Sequence, residues 1–123
     1  MRKIDKATFR AELAAQCVSS PQHLAVTCPA CGTVQSRELL RREGCPDDEV
    51  DLQVGFSCVG RWNGSGAPDP ARNMQEKPGC NWTLGGLLSI HSLEVEDDEG
   101  RLHPMFEPAS PDDARRLEAE MAQ

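Results

Sequence analysis

Six cysteines, at Cys17, Cys28, Cys31, Cys45, Cys58 and Cys80, are the residues of this 123-residue chain best equipped for chemistry. Thiolate sulfur is a soft, charged donor that suits zinc, and a structural zinc takes four such ligands in a tetrahedron. Cys28-Pro29-Ala30-Cys31-Gly32 places two sulfurs on one tight turn. Pro29 stiffens that turn, and Gly32 is free to take the backbone angle that points N–H groups at the sulfurs. The alternative use of a Cys-x-x-Cys pair, thiol–disulfide exchange, calls for a helix opened by the motif within a βαβ pattern, which this sequence does not show.

The second ligand pair is less local. Cys58 sits in Phe56-Ser57-Cys58-Val59-Gly60 and Cys80 in Pro78-Gly79-Cys80-Asn81-Trp82, each where an apolar stretch meets a Gly- and Pro-rich one. If strands 51–58 and 81–90 pair antiparallel, both sulfurs reach the same end of the ladder. Competing donors have blander readings: Cys17 as a small buried residue on an apolar helix face, Cys45 as an exposed thiol between Gly44 and Pro46, and His23, His91 and His103 as ordinary surface or core residues. His91 is the best placed of the histidines. The expected metal set is Cys28, Cys31, Cys58 and Cys80, with structural Zn2+ as the cofactor and iron in a rubredoxin-like site as the alternative metal. Four thiolates leave no open position for a substrate, so no catalytic metal and no enzyme activity are expected. Cys45 and His91 are the remaining nucleophile and base, and nothing in the sequence brings them together.

The elements that must position these ligands follow from local signals. Asp5 or Thr8 caps a first helix running to about Cys17, with Phe9, Leu13 and Cys17 on one face. Leu24–Thr27 and Thr33–Gln35 form a hairpin whose turn is the first knuckle. Ser36 caps a short helix over Arg37–Glu43, stopped by Gly44 and Pro46, with Leu39 and Leu40 facing inward. Leu52, Val54 and Phe56 alternate with polar or small residues, a strand pattern over 51–58. Residues 59–79 read as a long exposed loop and 82–90 as a strand bent at Gly85-Gly86. Leu93–Val95 and Arg101–Phe106 flank an acidic turn closed by Gly100, and Ser110-Pro111-Asp112-Asp113 opens a C-terminal helix.

The expected architecture is therefore α+β. Residues 1–22 form an N-terminal helix, 23–108 a zinc-ribbon domain with the loop 59–79 and an acidic hairpin 93–106, and 109–123 a C-terminal helix. With hydrophobic residues at 38%, two Trp, three Phe and no Tyr, the core is thin, and a metal cross-link compensates for that. No apolar run of signal-peptide or membrane-span length occurs, so a cytoplasmic protein is expected.

Charge narrows the partners. Residues 1–93 hold ten acids and ten bases, whereas 94–123 hold ten acids and three bases, so the net charge of −7 resides in the last quarter. Such a chain has no general attraction for a nucleic-acid backbone. A nucleic-acid surface would have to use Arg61, Trp62, Arg72 and Lys77 on the loop, where Asp69 and Glu76 offset the bases. Glu94, Glu96, Asp97, Asp98 and Glu99 form the opposite kind of surface, one that could imitate nucleic-acid charge toward a protein.

The succession Thr27-Cys28-Pro29-Ala30-Cys31-Gly32-Thr33-Val34-Gln35-Ser36, Ser57-Cys58-Val59-Gly60-Arg61 and Lys77-Pro78-Gly79-Cys80-Asn81-Trp82 resembles a small group of zinc-ribbon proteins from bacteriophages and prophages. The similarity extends through Gly86-Leu87-Leu88 and His103-Pro104-Met105-Phe106-Glu107-Pro108, covering about residues 24–109. It implies a phage or prophage origin, action in a host bacterial cytoplasm, and Cys28, Cys31, Cys58 and Cys80 as ligands; it brings no assigned activity. The role expected from it is a protein-interaction module that blocks a host factor such as an immunity system, with a nucleic-acid-binding accessory protein as the alternative. Replacing Cys28 or Cys80 by Ser is predicted to abolish metal binding and unfold the domain, because structural zinc contributes folding free energy directly. Cys17→Ser and Cys45→Ser keep one equivalent of metal, as elemental analysis and thermal melts would show.

Overall fold

A computed structural model describes residues 2–63, 79–80, 82–84 and 90–122. Its elements are β1 (Arg2–Asp5), α1 (Lys6–Ala14), a 3-10 turn (Pro21–His23), β2 (Ala25–Thr27), β3 (Val34–Ser36), α2 (Arg37–Arg42), α3 (Val50–Gln53), α4 (Gly60–Asn63), β4 (Leu93–Glu96), β5 (Leu102–Met105), β6 (Glu107–Pro108) and α5 (Pro111–Met121). The fold is α+β, with two small sheets.

One sheet has the order β3-β2-β6, all antiparallel, and carries the first knuckle between β2 and β3. The other has the order β1-β4-β5. Its β4–β5 hairpin turns at Gly100, whose φ of +82° suits glycine. Its β1 was not expected from sequence: the first residues lie parallel to β4, with Arg2 opposite Leu93 and Asp5 opposite Glu96. A parallel partner so far along the chain leaves no local signal.

The helix starts follow their capping residues. Asp5 accepts from the Thr8 N–H at 2.7 Å, Ser36 from Leu39 at 3.3 Å, and Ser110 from Asp113 at 3.2 Å. Between the elements lies the core of Ala25, Leu40, Val50, Val59, Phe106 and Leu117, with Trp82 stacked on Phe106 at 5.8 Å. Helix α5 packs across β2 and β3, and Arg42 of α2 reaches the Met121 carbonyl.

Three expectations need correction. Helix α1 ends at Ala14, and Cys17, at φ +56°, is exposed instead of buried on its face. Its place inward is taken by Gln16, fully buried, which donates to the Ala25 and Ala109 carbonyls at 2.8 and 3.0 Å and accepts from the Ala25 N–H at 2.8 Å. An amide side chain there completes the hydrogen bonding of the strand next to it. The 51–58 segment is helix α3 followed by a turn, not a strand. Leu52, which the alternation turned inward, is 74% exposed, while Val50 is the buried anchor. Finally, the loop expected over 59–79 starts as helix α4; residues 64–78 lie outside the described set, as do residues 85–89 of the expected 82–90 strand.

Removing the amide in Gln16→Leu strands the Ala109 carbonyl and the Ala25 N–H, each worth roughly 1–3 kcal/mol, while the Ala25 carbonyl keeps the Ala109 N–H at 3.0 Å. A loss of about 2 kcal/mol or more is expected in chemical denaturation. Leu52→Ser should stay within about 0.5 kcal/mol of the parent, as an exposed position does and an inward strand position would not.

Candidate metal centre

The first half of the centre is built by the β2–β3 hairpin. Cys28 continues the ladder, its N–H donating to the Thr33 carbonyl at 2.9 Å, and its carbonyl accepts from the Gly32 N–H at 2.9 Å. Gly32 takes φ +78°, as the sequence expectation required. Inside this turn the Cys28 sulfur accepts from the backbone N–H groups of Cys31 and Ala30.

The second half is a knuckle split between two distant segments. Ser57 and Thr83 form an antiparallel bridge, extended by Cys58 N–H to the Trp82 carbonyl at 3.0 Å and Leu84 N–H to the Phe56 carbonyl at 2.9 Å. The expected pairing of these two segments is thus present next to the cysteines. Cys58 Sγ accepts from the N–H groups of Gly60 and Cys80, the latter at 3.2 Å, and Cys80 Sγ from Trp82 at 3.5 Å.

Two glycines make this crossing possible. A Cβ on Gly60 would fall on the backbone of Cys80, and a Cβ on Gly79 would fall on the backbone of Gly60 and the Val59 side chain. Gly79 also sits at φ +99°. The backbones are therefore in direct contact where the ligands diverge.

Gln35 joins the halves, and sequence reasoning missed it. This fully buried amide on β3 donates to the Val54 and Ser57 carbonyls at 2.7 and 2.9 Å and accepts from the Val59 N–H at 2.8 Å. The signal was a polar residue one step inside a strand that feeds a buried layer. Its effect is to fix the backbone on both sides of Cys58 relative to the first knuckle.

The result is convergence of Cys28, Cys31, Cys58 and Cys80, whose sulfurs all lie within 4.8 Å of one another. Cys28 and Cys80 sulfurs are 3.9 Å apart, and those of Cys31 and Cys58 3.7 Å. Sulfurs bound at about 2.3 Å around a tetrahedral ion stand about 3.8 Å apart, so the cluster fits a metal with little movement. The donor set, four thiols with backbone N–H groups near Cys28, Cys58 and Cys80, also fits: those N–H groups offset the charge that four thiolates bring. The Cys58 thiol is pulled down by its hydrogen bond with Cys28 and by the N–H groups of Gly60 and Cys80, against burial; the same bond and burial push Cys28 up. Burial pushes Cys80 up to about 11. A divalent ion held by these sulfurs would displace their protons.

The other expected donors lie elsewhere. Cys17 and Cys45 are outside the cluster. Cys45 was expected to be exposed but is buried, and burial, with Glu49, Asp48 and Asp47 nearby, pushes its thiol up to about 11. His103 bonds Asp97 at 2.8 Å. His91 joins no metal group among the described residues.

Of the expected contact residues, Arg61 and Trp62 sit on α4 directly behind the split knuckle, Arg61 exposed and Trp62 against the core. Arg72 and Lys77 lie outside the described residues. Glu94 and Glu96 are on β4, and Asp97, Asp98 and Glu99 are in the following turn. Asp97 is a turn keystone: it accepts from the Glu99 and Arg101 N–H groups, both at 2.9 Å, besides holding His103. Asp98 pairs with Lys6 at 3.3 Å and Glu99 with Arg101 at 3.5 Å. The acidic cluster is thus partly neutralised within the chain.

The sequence model of the VVA0879-like family matches residues 5–109. The chain belongs to this family. The match spans α1, both knuckles and all strands but β1, and stops before α5, so the four-cysteine centre lies wholly within the VVA0879-like region. No curated protein and no solved structure matches the chain. No helix among the described residues is long and apolar enough to cross a membrane.

Gly60→Ala and Gly79→Ala are expected to weaken metal binding and lower the melting temperature, with overpacking costing about 1–3 kcal/mol and the φ of Gly79 adding to it. Gly32→Ala, at positive φ but with open space around its Cβ, should cost only about 1–2 kcal/mol and keep the metal. Metal titration with thermal melts separates the three.

Proposed function

We propose that this chain is a zinc-stabilised protein-interaction module of a phage or prophage, acting on a host protein. The observation that carries the reading is the closed character of the centre. Four cysteine sulfurs fill a tetrahedron, so a metal held there has a structural task and leaves no position for substrate. The zinc-ribbon arrangement fits the same reading: two knuckles, one on a hairpin and one split, hold ligands at the tips of short antiparallel pairs. Elemental analysis of purified protein should find one zinc per chain; a coloured protein with iron would change the metal and leave the structural role.

What the centre supports is a rigid surface. Two adjoining hollows flank α1, one of about 340 Å³ toward the 51–56 segment and one of about 430 Å³ toward the β4–β5 hairpin, sharing Phe9, Leu13, Arg37 and Met105. Leu52 and Phe56, two of the exposed large hydrophobic residues, edge the first. Helix α1 buries none of its residues fully, so its Phe9–Leu13 stripe is available on this face. Lys6, Arg10 and Arg37 line the groove together with Asp51 and Asp97, and Arg37 pairs with Asp51 at 2.8 Å and Lys6 with Asp98 at 3.3 Å. An apolar segment of the partner fits these surroundings.

The resemblance to phage and prophage proteins makes a host defence protein the candidate class of partner. Nucleic-acid binding has less support, because Arg61 is the exposed cation of α4 and the overall charge opposes it. Pull-down from a bacterial host lysate is expected to capture a specific protein that is lost with Leu52→Asp/Phe56→Asp. It should be retained when Glu96, Asp98 and Glu99 are changed to their amides. Capture that depends on the acids instead would replace the groove by the acidic turn as the contact. Salt-sensitive binding to random DNA or RNA, with no protein captured, would overturn the reading.

A further inference from the structure

The four sulfurs are not chemically equal. Cys28 and Cys58 are buried, Cys58 also accepts from the Cys80 N–H at 3.2 Å, and Cys80, half-buried, accepts from the Trp82 N–H at 3.5 Å. Cys31 is exposed, and among the described residues its sulfur meets a single polar partner outside the cluster, the Thr33 hydroxyl at 3.1 Å. An N–H bond to a thiolate draws charge from sulfur and lowers its nucleophilicity, while burial blocks approach of a reagent. Both effects spare Cys31. A four-thiolate zinc centre also carries two net negative charges, which keeps electron density on its sulfurs.

We propose that Cys31 is a modification site at which a hydroperoxide opens the metal centre; this rests on the reading of the cluster as a zinc site. The Cys31 thiolate attacks the outer oxygen of the peroxide, the O–O bond breaks, and the leaving oxygen takes a proton from water and departs as alcohol or water. Cys31 becomes a sulfenic acid and ceases to be a good zinc ligand. The Cys58 sulfur, 3.7 Å away, then attacks the sulfenic sulfur; the S–S bond forms and hydroxide leaves, to be protonated by solvent. Two thiolates have lost two electrons, the peroxide has gained them, and zinc, left with two thiolate ligands, is released.

Because the β2–β3 turn and the split knuckle share this ion, its release loosens the face that α1 and residues 51–56 present. The oxidant therefore acts as a switch on the same interaction surface.

The test uses zinc-loaded full-length protein carrying Cys17→Asn, which removes the exposed thiol outside the cluster; Asn tolerates the positive φ there. Zinc content is measured first, and a protein that binds no zinc defeats the zinc reading and this proposal with it before any oxidant is added. Hydrogen peroxide is then added, zinc release is followed with a chromophoric chelator, and quenched samples are mapped by peptide mass spectrometry. The expected first product is a Cys31–Cys58 disulfide appearing in step with zinc release. Cys31→His, which keeps a fourth ligand, should slow release about tenfold, while Cys28→His should leave the rate within about twofold. First oxidation at Cys28 or Cys80, or an unchanged rate in Cys31→His, overturns the proposal. The mapping decides it even where a His variant does not fold.

Discussion

Four sulfur atoms from three separate stretches of chain have to meet at one point, and the rest of the structure is arranged around that requirement. Cys28 and Cys31 come together through their own turn. Cys58 and Cys80 do so only because two backbones touch at Gly60 and Gly79 and because Ser57 pairs with Thr83. The Gln35 amide then sets the distance between the two halves, taking two carbonyls and one N–H of the 54–59 segment in place of a strand partner. In a thin core, these directional bonds specify a geometry that apolar packing alone would leave loose.

Gln16 repeats the device on the far side of the same sheet, tying the end of α1 to Ala25 and Ala109. One buried amide fastens the knuckle-bearing sheet to its outer neighbours, the other fastens it to the second knuckle. Arg2 adds a surface tie of the same kind, gripping Glu12 with two nitrogens and Glu107 with its Nε. Such exposed pairs contribute little energy individually, but they fix the entry of the first strand.

What was legible in the sequence is what is local. The knuckle at Cys28–Cys31, the Ser36 and Ser110 caps, and the hairpin around Gly100 each depend on residues a few positions apart, and each is present. The 51–58 segment misled because Leu52, Val54 and Phe56 alternate, yet an acidic turn ahead of Val50 lets one helical turn form and leaves Leu52 in solvent. Gln16 and Gln35 were passed over because polarity suggested surface; only tertiary structure supplies the unpaired backbone groups that make a buried amide favourable. The β1–β4 pairing joins residues 91 positions apart, Arg2 with Leu93, and so has no local trace.

That parallel pairing also orders events during synthesis. Arg2 to Asp5 emerge from the ribosome well before their partners, Leu93 to Glu96, which follow only after every cysteine has been made. The nascent chain thus holds an unpaired edge at β1 while the knuckles assemble, and closing the outer sheet incurs the entropy of a loop of about three quarters of the chain. A metal ion captured by the four cysteines would shorten that loop before it has to close.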